Sequence, residues 1–281
     1  MKFIDSILRG IGQVIFQNNI YSGILFIIGI FYNSWIMGLA ALIGTIISTI
    51  TAQSLKYSED DIKNGLYGFN GTLTGIAVLC FFELNLITAI ALVLGSVLST
   101  LFMNFLKKHI PPFTSPFVIV TWFLIYFLIL VFQYPLISSS AVSETTFNFV
   151  TAVSNSFGQV MFQENTITGL FFLLAILVNN KLMAAYAVFA AVLGSLTALI
   201  LSEPATSINA GLMGYNAILC AIALFGKKWS DFIWISIAII LSSLVNIGLG
   251  ATGIITLTAP FVLTTWGILL VKRSIKKSPK T

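Results

Sequence analysis

Long apolar runs alternate with short polar punctuation from one end of the chain to the other. Ten of them, at about 20–34, 36–55, 64–82, 85–106, 113–134, 167–180, 182–201, 208–226, 231–250 and 254–271, approach the roughly 20 residues that carry a helix across a bilayer, although the first of each half is short. Two further segments, about 3–16 and 147–162, are too short and too polar to cross and suit half-spanning, re-entrant helices. The pattern predicts an all-α integral membrane protein of ten transmembrane helices plus two re-entrant helices.

Three motifs occur twice, in the same order. Gly12-Gln13-Val14-Ile15-Phe16-Gln17-Asn18-Asn19 returns as Gly158-Gln159-Val160-Met161-Phe162-Gln163-Glu164-Asn165. Gly65-Leu66-Tyr67-Gly68-Phe69-Asn70-Gly71-Thr72-Leu73 returns as Gly211-Leu212-Met213-Gly214-Tyr215-Asn216-Ala217-Ile218-Leu219. Thr114-Ser115-Pro116-Phe117 and the following Thr121-Trp122 return as Thr258-Ala259-Pro260-Phe261 and Thr265-Trp266. Each half then holds five spans. Because five is odd, the second half is expected to sit upside down relative to the first, an inverted repeat with its pseudo-two-fold in the membrane plane. The expected divisions are a first repeat at 1–135, an extracytoplasmic linker at 136–146, a second repeat at 147–272 and a basic cytoplasmic tail at 273–281.

Charge placement tests the span count. With the N-terminus inside, Lys2, Arg9, Lys56, Lys63, Lys107, Lys108, Lys181, Lys227, Lys228 and the basic tail all fall on the cytoplasmic side, as topogenic charge should. The outer connections, near Glu83, 135–146, Glu203 and 248–253, carry no Lys or Arg. Both termini are therefore expected in the cytoplasm of a multi-pass protein of the cell (inner) membrane, with no cleavable signal peptide. Composition agrees: 58% of residues are hydrophobic and 8% charged, against about 25% charged in a soluble domain. The 14 basic and 9 acidic residues read as loop charge, and no nucleic acid partner is implied. Cys80 and Cys220 lie in apolar runs and His109 beside Lys107 and Lys108, so neither a disulfide nor a metal site is expected, and no cofactor.

The repeated motifs carry the candidate chemistry. Gln13 and Gln159 follow half-helices that end inside the membrane, where free backbone groups need protein or water partners. Their amides either serve that need or line a water-accessible slot beside projecting helix carbonyls. Glu164, whose counterpart is Asn18, is an acid expected near membrane depth, where ionisable groups are costly and functional. Phe69 and Leu73 share a helix face, as do Tyr215 and Leu219; they face lipid or a packed core, or form a flat apolar slot for planar solutes. Asn70 and Asn216 read as helix-terminus or interhelical hydrogen bonders. Thr114 and Thr258 fit N-caps ahead of Pro116 and Pro260, or form a pair of hydroxyls brought together by the pseudo-two-fold. Trp122 and Trp266 read as packing residues. No Lys or Arg lies within a span, there is no chain of buried acids for proton relay, and no nucleophile triad, Walker loop or metal cluster occurs. Passive passage of a neutral solute fits, rather than ion coupling or catalysis.

Gly-Gln-Val-x-Phe-x-x-Asn, Gly-Leu-x-Gly-x-Asn-x-x-Leu and Thr-x-Pro-Phe, each present twice in order, resemble the urea transporter family over nearly the whole chain. The resemblance implies five spans and a half-helix per repeat, a pore in each protomer of a homotrimer, and facilitated diffusion of urea. It implies a filter of Gln13, Val14 and Phe16 with Gln159, Val160, Phe162 and Glu164, an apolar slot of Phe69, Leu73, Tyr215 and Leu219, and a narrow middle flanked by Thr114 and Thr258. The neighbouring alternatives are a channel for another small neutral amide or ammonia, then an ion-coupled secondary transporter, then a membrane-embedded enzyme.

Overall fold

The computed structural model describes residues 3–137 and 146–277, and every regular element among them is helical. The first half runs α1 (Phe3–Gln13), α2 (Ile20–Asn33), α3 (Trp35–Ser54), α4 (Glu59–Lys63), α5 (Gly68–Phe81), α6 (Leu86–Leu106) and α7 (Ser115–Phe132). The second runs α8 (Phe149–Gly158) with a short 3-10 turn (Gln159–Met161), α9 (Thr166–Asn179), α10 (Lys181–Ile200), α11 (Ala205–Asn209), α12 (Tyr215–Ala223), α13 (Trp229–Ala251) and α14 (Ala259–Lys277). The expected linker at 136–146 falls mostly outside the described residues, as do 278–281 of the expected tail. The tail's earlier residues continue α14.

Helices α3, α6, α7, α10 and α13 are long and apolar enough to cross a membrane, with mean hydropathy from 1.8 to 2.4. Their outward faces carry bare apolar side chains, among them Leu86, Leu130 and Ile200, each at least 75% exposed. Water would penalise such a surface and lipid does not. The chain is a multi-pass membrane protein. Helix α8 with its 3-10 turn and α9 would satisfy the same length and composition together, but they are bent by 73°.

Helix boundaries follow from capping chemistry. Asn19 accepts from the amides of Tyr21 (2.8 Å) and Ser22 (3.2 Å), and Asn165 from those of Ile167 and Thr168 (both 3.0 Å), satisfying first-turn donors that have no helical partner. Ser34 ends α2 and caps α3, and Asn180 ends α9 and caps α10, so each helix pair turns on one residue.

The third span of each half departs from expectation. Runs at 64–82 and 208–226 promised continuous helices, yet α5 starts at Gly68 with 14 residues and α12 at Tyr215 with nine. At 1.5 Å per residue these are about 21 Å and 14 Å long, short of a hydrocarbon core of about 30 Å. The interruption is at Gly65 (φ +74°) and Gly211 (φ +81°), whose left-handed backbone cannot continue a helix. A Cβ there would lie 2.3 Å from the backbone of Gly10 or of Asn155, so the breaks let α1 and α8 approach main chain to main chain. Periodicity is blind to this, because the residues that follow each break, Leu66-Tyr67-Gly68-Phe69 and Leu212-Met213-Gly214-Tyr215, are as apolar as the helix after them.

Contacts between the halves are reciprocal. Ser22 Oγ donates to the Ala175 carbonyl (2.7 Å), and its counterpart Thr168 Oγ1 donates to Gly29 (2.9 Å). The counterparts Phe26 and Phe172 meet each other edge to face at 5.0 Å. Residue i of one half touching j of the other, and j's equivalent touching i's, is the signature of an approximate two-fold relation.

Gly65→Ala and Gly211→Ala are expected to destabilise the purified protein by at least ~2 kcal/mol, combining left-handed strain with overpacking. Gly253→Ala, at φ +79° with open space around it, is expected to cost about 1 kcal/mol from strain alone. Thermal unfolding in detergent ranks the three, and equal stabilities would contradict the close-approach argument.

Candidate functional site

The end of α1 is a tight backbone turn. The amides of Phe16 and Gln17 donate to the carbonyls of Gln13 (3.0 Å) and Gly12 (3.0 Å), and Phe16 adopts φ 56°. The second half repeats it: Phe162 donates to Gln159 (3.1 Å), Gln163 to Gly158 (3.0 Å), and Phe162 has φ 60°. A bulky residue in the left-handed region costs on the order of 1–3 kcal/mol and persists only where its surroundings impose it.

Those surroundings centre on Gln17 and Gln163, both fully buried. Each donates back to its own turn, Gln17 Nε2 to Ile15 O (2.6 Å) and Gln163 Nε2 to Met161 O (2.7 Å). Each also accepts from the opposite half, Gln17 Oε1 from Asn179 (2.8 Å) and Gln163 Oε1 from Asn33 (2.9 Å). Sequence reasoning passed over this pair in favour of Gln13 and Gln159. The available signal was that glutamine stands at the same place in both copies of the motif. Gln13 is half-buried and donates to the Asn64 carbonyl (3.0 Å), while Gln159 is half-buried at the start of the 3-10 turn. Val14 and Val160 are buried under the turns. Glu164 stands exposed beside the cap residue Asn165. Its counterpart Asn18 is also exposed and is held by Arg9 (2.6 Å) and Asn64 (2.9 Å).

The second motif supplies the walls. Phe69, Leu73, Tyr215 and Leu219 are all buried, in the same apolar cluster as Val14, Val160, Phe117 and Phe261. Asn70 Oδ1 accepts from the Phe117 amide and Asn216 Oδ1 from the Phe261 amide, both at 3.2 Å. Those amides belong to the first turns of α7 and α14, where no helical carbonyl is available. The two asparagines are thus interhelical bonders to helix termini, as their position in the sequence suggested. The Tyr215 hydroxyl donates to the Leu257 carbonyl just ahead of α14.

The third motif brings the halves together. Thr114 and Thr258 are buried, with their hydroxyls 2.7 Å apart. Thr114 makes no side-chain cap bond at α7, so of the two readings it is the pairing that its hydroxyl takes up. On either side, Trp122 Nε1 donates to Ile255 O (2.7 Å) and Trp266 Nε1 to Pro111 O (2.8 Å). Beyond packing, each indole braces the segment leading into the opposite half's last helix. The ring of Phe16 meets Phe261 edge-on at 5.9 Å and Phe113 at 6.2 Å, and Phe162 meets Phe117 at 6.1 Å and Phe81 at 5.8 Å.

The structure therefore joins Thr114 to Thr258, and packs Phe16 and Phe162 on the opposite half's Phe261 and Phe117. The three side-chain ion pairs among the described residues, Lys63 with Glu59, Lys107 with Asp61 and Lys272 with Asp231, involve none of these residues. At the end of α6, burial would lower the pKa of Lys107, but the Asp61 carboxylate and the Tyr67 hydroxyl outweigh it and hold the ammonium above its ordinary value. Among the described residues no group of His, Cys, Asp or Glu is arranged to hold a metal. Paired hydroxyls, carbonyl-bearing turns and aromatic edges are thus grouped in the residues of the three motifs.

Residues 4–273 match the model of the urea transporter family. Urea transporter 1 of Rattus norvegicus is 32% identical over 249 residues, covering 80% of this chain and 64% of that protein. Urea transporter 1 of Mus musculus gives the same identity and coverage, and that of Capra hircus is 31% identical over 247 residues. The chain thus spans a little under two thirds of the length of these relatives, 64%. A family match over almost every described residue, reached independently of the geometry, agrees with the doubled motifs: the chain belongs to the urea transporter family.

Proposed function

We propose that the chain is a channel through which urea diffuses down its gradient, along a pathway between its two repeats. The observation that carries the reading is the Thr114–Thr258 pair, two buried hydroxyls 2.7 Å apart on the local two-fold, with half-helix ends and aromatic edges grouped around them. Urea is planar, with one carbonyl acceptor and two amide donor groups. Leaving one polar group without its hydration costs about 2–7 kcal/mol by transfer data. Bonds inside the α1 turn use the carbonyls of Gly12, Gln13 and Ile15 and not that of the half-buried Phe16, which is left for a solute. Gln13, Gln159 and Glu164 extend the acceptor row at its mouths, and Phe69, Leu73, Tyr215 and Leu219 give flat walls that exclude bulkier solutes. Selectivity then combines donor–acceptor matching with pore width. The protein acts as a transporter and not as an enzyme.

The architecture that goes with this function is ten spans and two re-entrant helices in two inverted repeats, 1–135 and 147–272, with both termini on the cytoplasmic side of the cell (inner) membrane. The 73° bend between α8 and α9 supports re-entry of the half-helices. Protomers assemble as a homotrimer in lipid, one pore in each.

Proteoliposomes of the purified chain, compared for urea, acetamide, ammonia and water flux, test the reading. Saturable urea flux without ion dependence is expected. Well-folded protein that passes no urea would overturn it, and preference for acetamide or ammonia would reassign the solute.

Thr114→Val and Thr258→Val are nearly isosteric, leave one buried hydroxyl unpaired, and are expected to slow urea flux about tenfold while the protein stays folded. Undiminished flux through folded variants would remove the pair from the pathway. Gln17→Leu, which leaves the buried Ile15 carbonyl without its Gln17 partner and removes the bond to Asn179, is expected to cost about 1–3 kcal/mol of stability and to reduce flux as well. Thermal unfolding and stopped-flow light scattering measure the two effects separately.

A further inference from the structure

Of the side chains proposed as the walls of the slot, Phe69, Leu73, Tyr215 and Leu219, only Tyr215 carries a polar atom. Its counterpart in the first half is Phe69, so an aromatic wall at this place needs no hydroxyl. The hydroxyl of the buried Tyr215 donates to the Leu257 carbonyl and lies 3.4 Å from the Thr256 hydroxyl. Leu257 stands directly before Thr258, whose hydroxyl meets that of Thr114, and its backbone is left-handed at φ 47°. A residue of this kind stays in that region only where its surroundings impose it.

The first half repeats the conformation and holds it by other means. Phe113, directly before Thr114, has φ 48°. Phe69 has no hydroxyl to give its carbonyl, and the buried Asn70 Nδ2 has no partner, whereas Asn216 Nδ2 reaches the Leu257 carbonyl at 3.4 Å. In place of Ile255 and Thr256 this half has Pro111 and Pro112. Each ring fixes the φ of its own residue, and Pro112 also restricts the residue before it. Ser115 Oγ donates to the Pro112 carbonyl at 2.6 Å, where the second half has Ala259. The indole bonds of Trp122 and Trp266 are common to both halves and do not account for the difference. One turn is held by proline rings and the other by the Tyr215 hydroxyl.

We propose that Tyr215 is a positioning residue. Its hydroxyl keeps the Leu257 turn left-handed and thereby fixes the Thr258 hydroxyl against Thr114, the task that Pro111 and Pro112 perform in the first half. The inference rests on the threonine pair lying on the pathway for urea. If Tyr215 served only as a wall, phenylalanine would do as well there as it does at Phe69.

Tyr215→Phe keeps the ring and removes only the hydroxyl. In proteoliposomes of the full chain it is expected to slow urea flux about threefold to tenfold, the factor that one hydrogen bond of ordinary net strength supplies. Amide hydrogen exchange over residues 252–260 is expected to quicken with it. Adding Thr256→Pro, which copies Pro112, is expected to bring both back to within about twofold of the unaltered chain, because a proline that fits the native backbone restores the lost restraint. Ile255→Pro, which copies Pro111, serves should Thr256→Pro fail to fold. Undiminished urea flux through folded Tyr215→Phe protein overturns the proposal, and so does a loss that neither proline restores. A Tyr215→Phe chain that folds only with a proline added supports it, and one that folds with neither overturns it. Absence of urea flux from the unaltered chain counts against the channel itself. Exchange then decides the part of the hydroxyl, and exchange that Tyr215→Phe leaves unchanged overturns it.

Discussion

A backbone in lipid must satisfy its own hydrogen bonds, because the surrounding solvent offers none. This chain nonetheless leaves helical geometry at Phe16 and Phe162, at Gly65 and Gly211, and at Phe113 and Leu257. Its polar side chains near those breaks answer them. Gln17 and Gln163 take up a carbonyl of each half-helix turn, Asn70 and Asn216 take the first-turn amides of α7 and α14, and the Trp122 and Trp266 indoles take carbonyls of the segments entering the opposite half's last helix. Four of these six bonds stay within one half, and the two indole bonds cross between the halves.

The long helices were legible in the sequence because a hydrophobic run is local. Hydrophobic runs set the lengths of α3, α6, α7, α10 and α13, whereas the caps Asn19 of α2 and Asn165 of α9 were not singled out, and the cap that was expected, Thr114, makes no side-chain cap bond. The breaks in the third spans were not legible, since a glycine in an apolar run reads equally as a packing residue. Gly65 and Gly211 become turn residues only when α1 and α8 press against them. At the candidate site, the pairing of Thr114 with Thr258 followed from the repeat, while the choice between pairing and capping needed coordinates. The roles of Asn70 and Asn216 were read correctly because a polar residue at a helix opening has few partners to choose from. Gln17 and Gln163 were missed because their importance lies in partners on α9 and α2, far away in sequence.

Membership of the urea transporter family and the reciprocal geometry reinforce each other. A repeat visible in sequence need not produce matched contacts, yet here Ser22 and Thr168 are different residues making the same bond to equivalent carbonyls. Divergence has changed the side chains and kept the link. Around Lys107 the reverse has happened: its partners Asp61 and Tyr67 stand where the second half has Ser207 and Met213.

The cross-half links have a mechanical consequence. Thr114 with Thr258, Gln17 with Asn179, Asn33 with Gln163, and both tryptophan braces run between the halves, while the one-residue joints at Ser34 and Asn180 leave no slack between consecutive helices. Rocking one half against the other would open one buried and four part-buried bonds at once, at up to about 1–3 kcal/mol for a group left buried and unpartnered. The body is braced like a frame with diagonal struts in both directions. In the channel proposed above, a solute would cross between the halves while the frame stands still, paced by side-chain motion on the nanosecond scale.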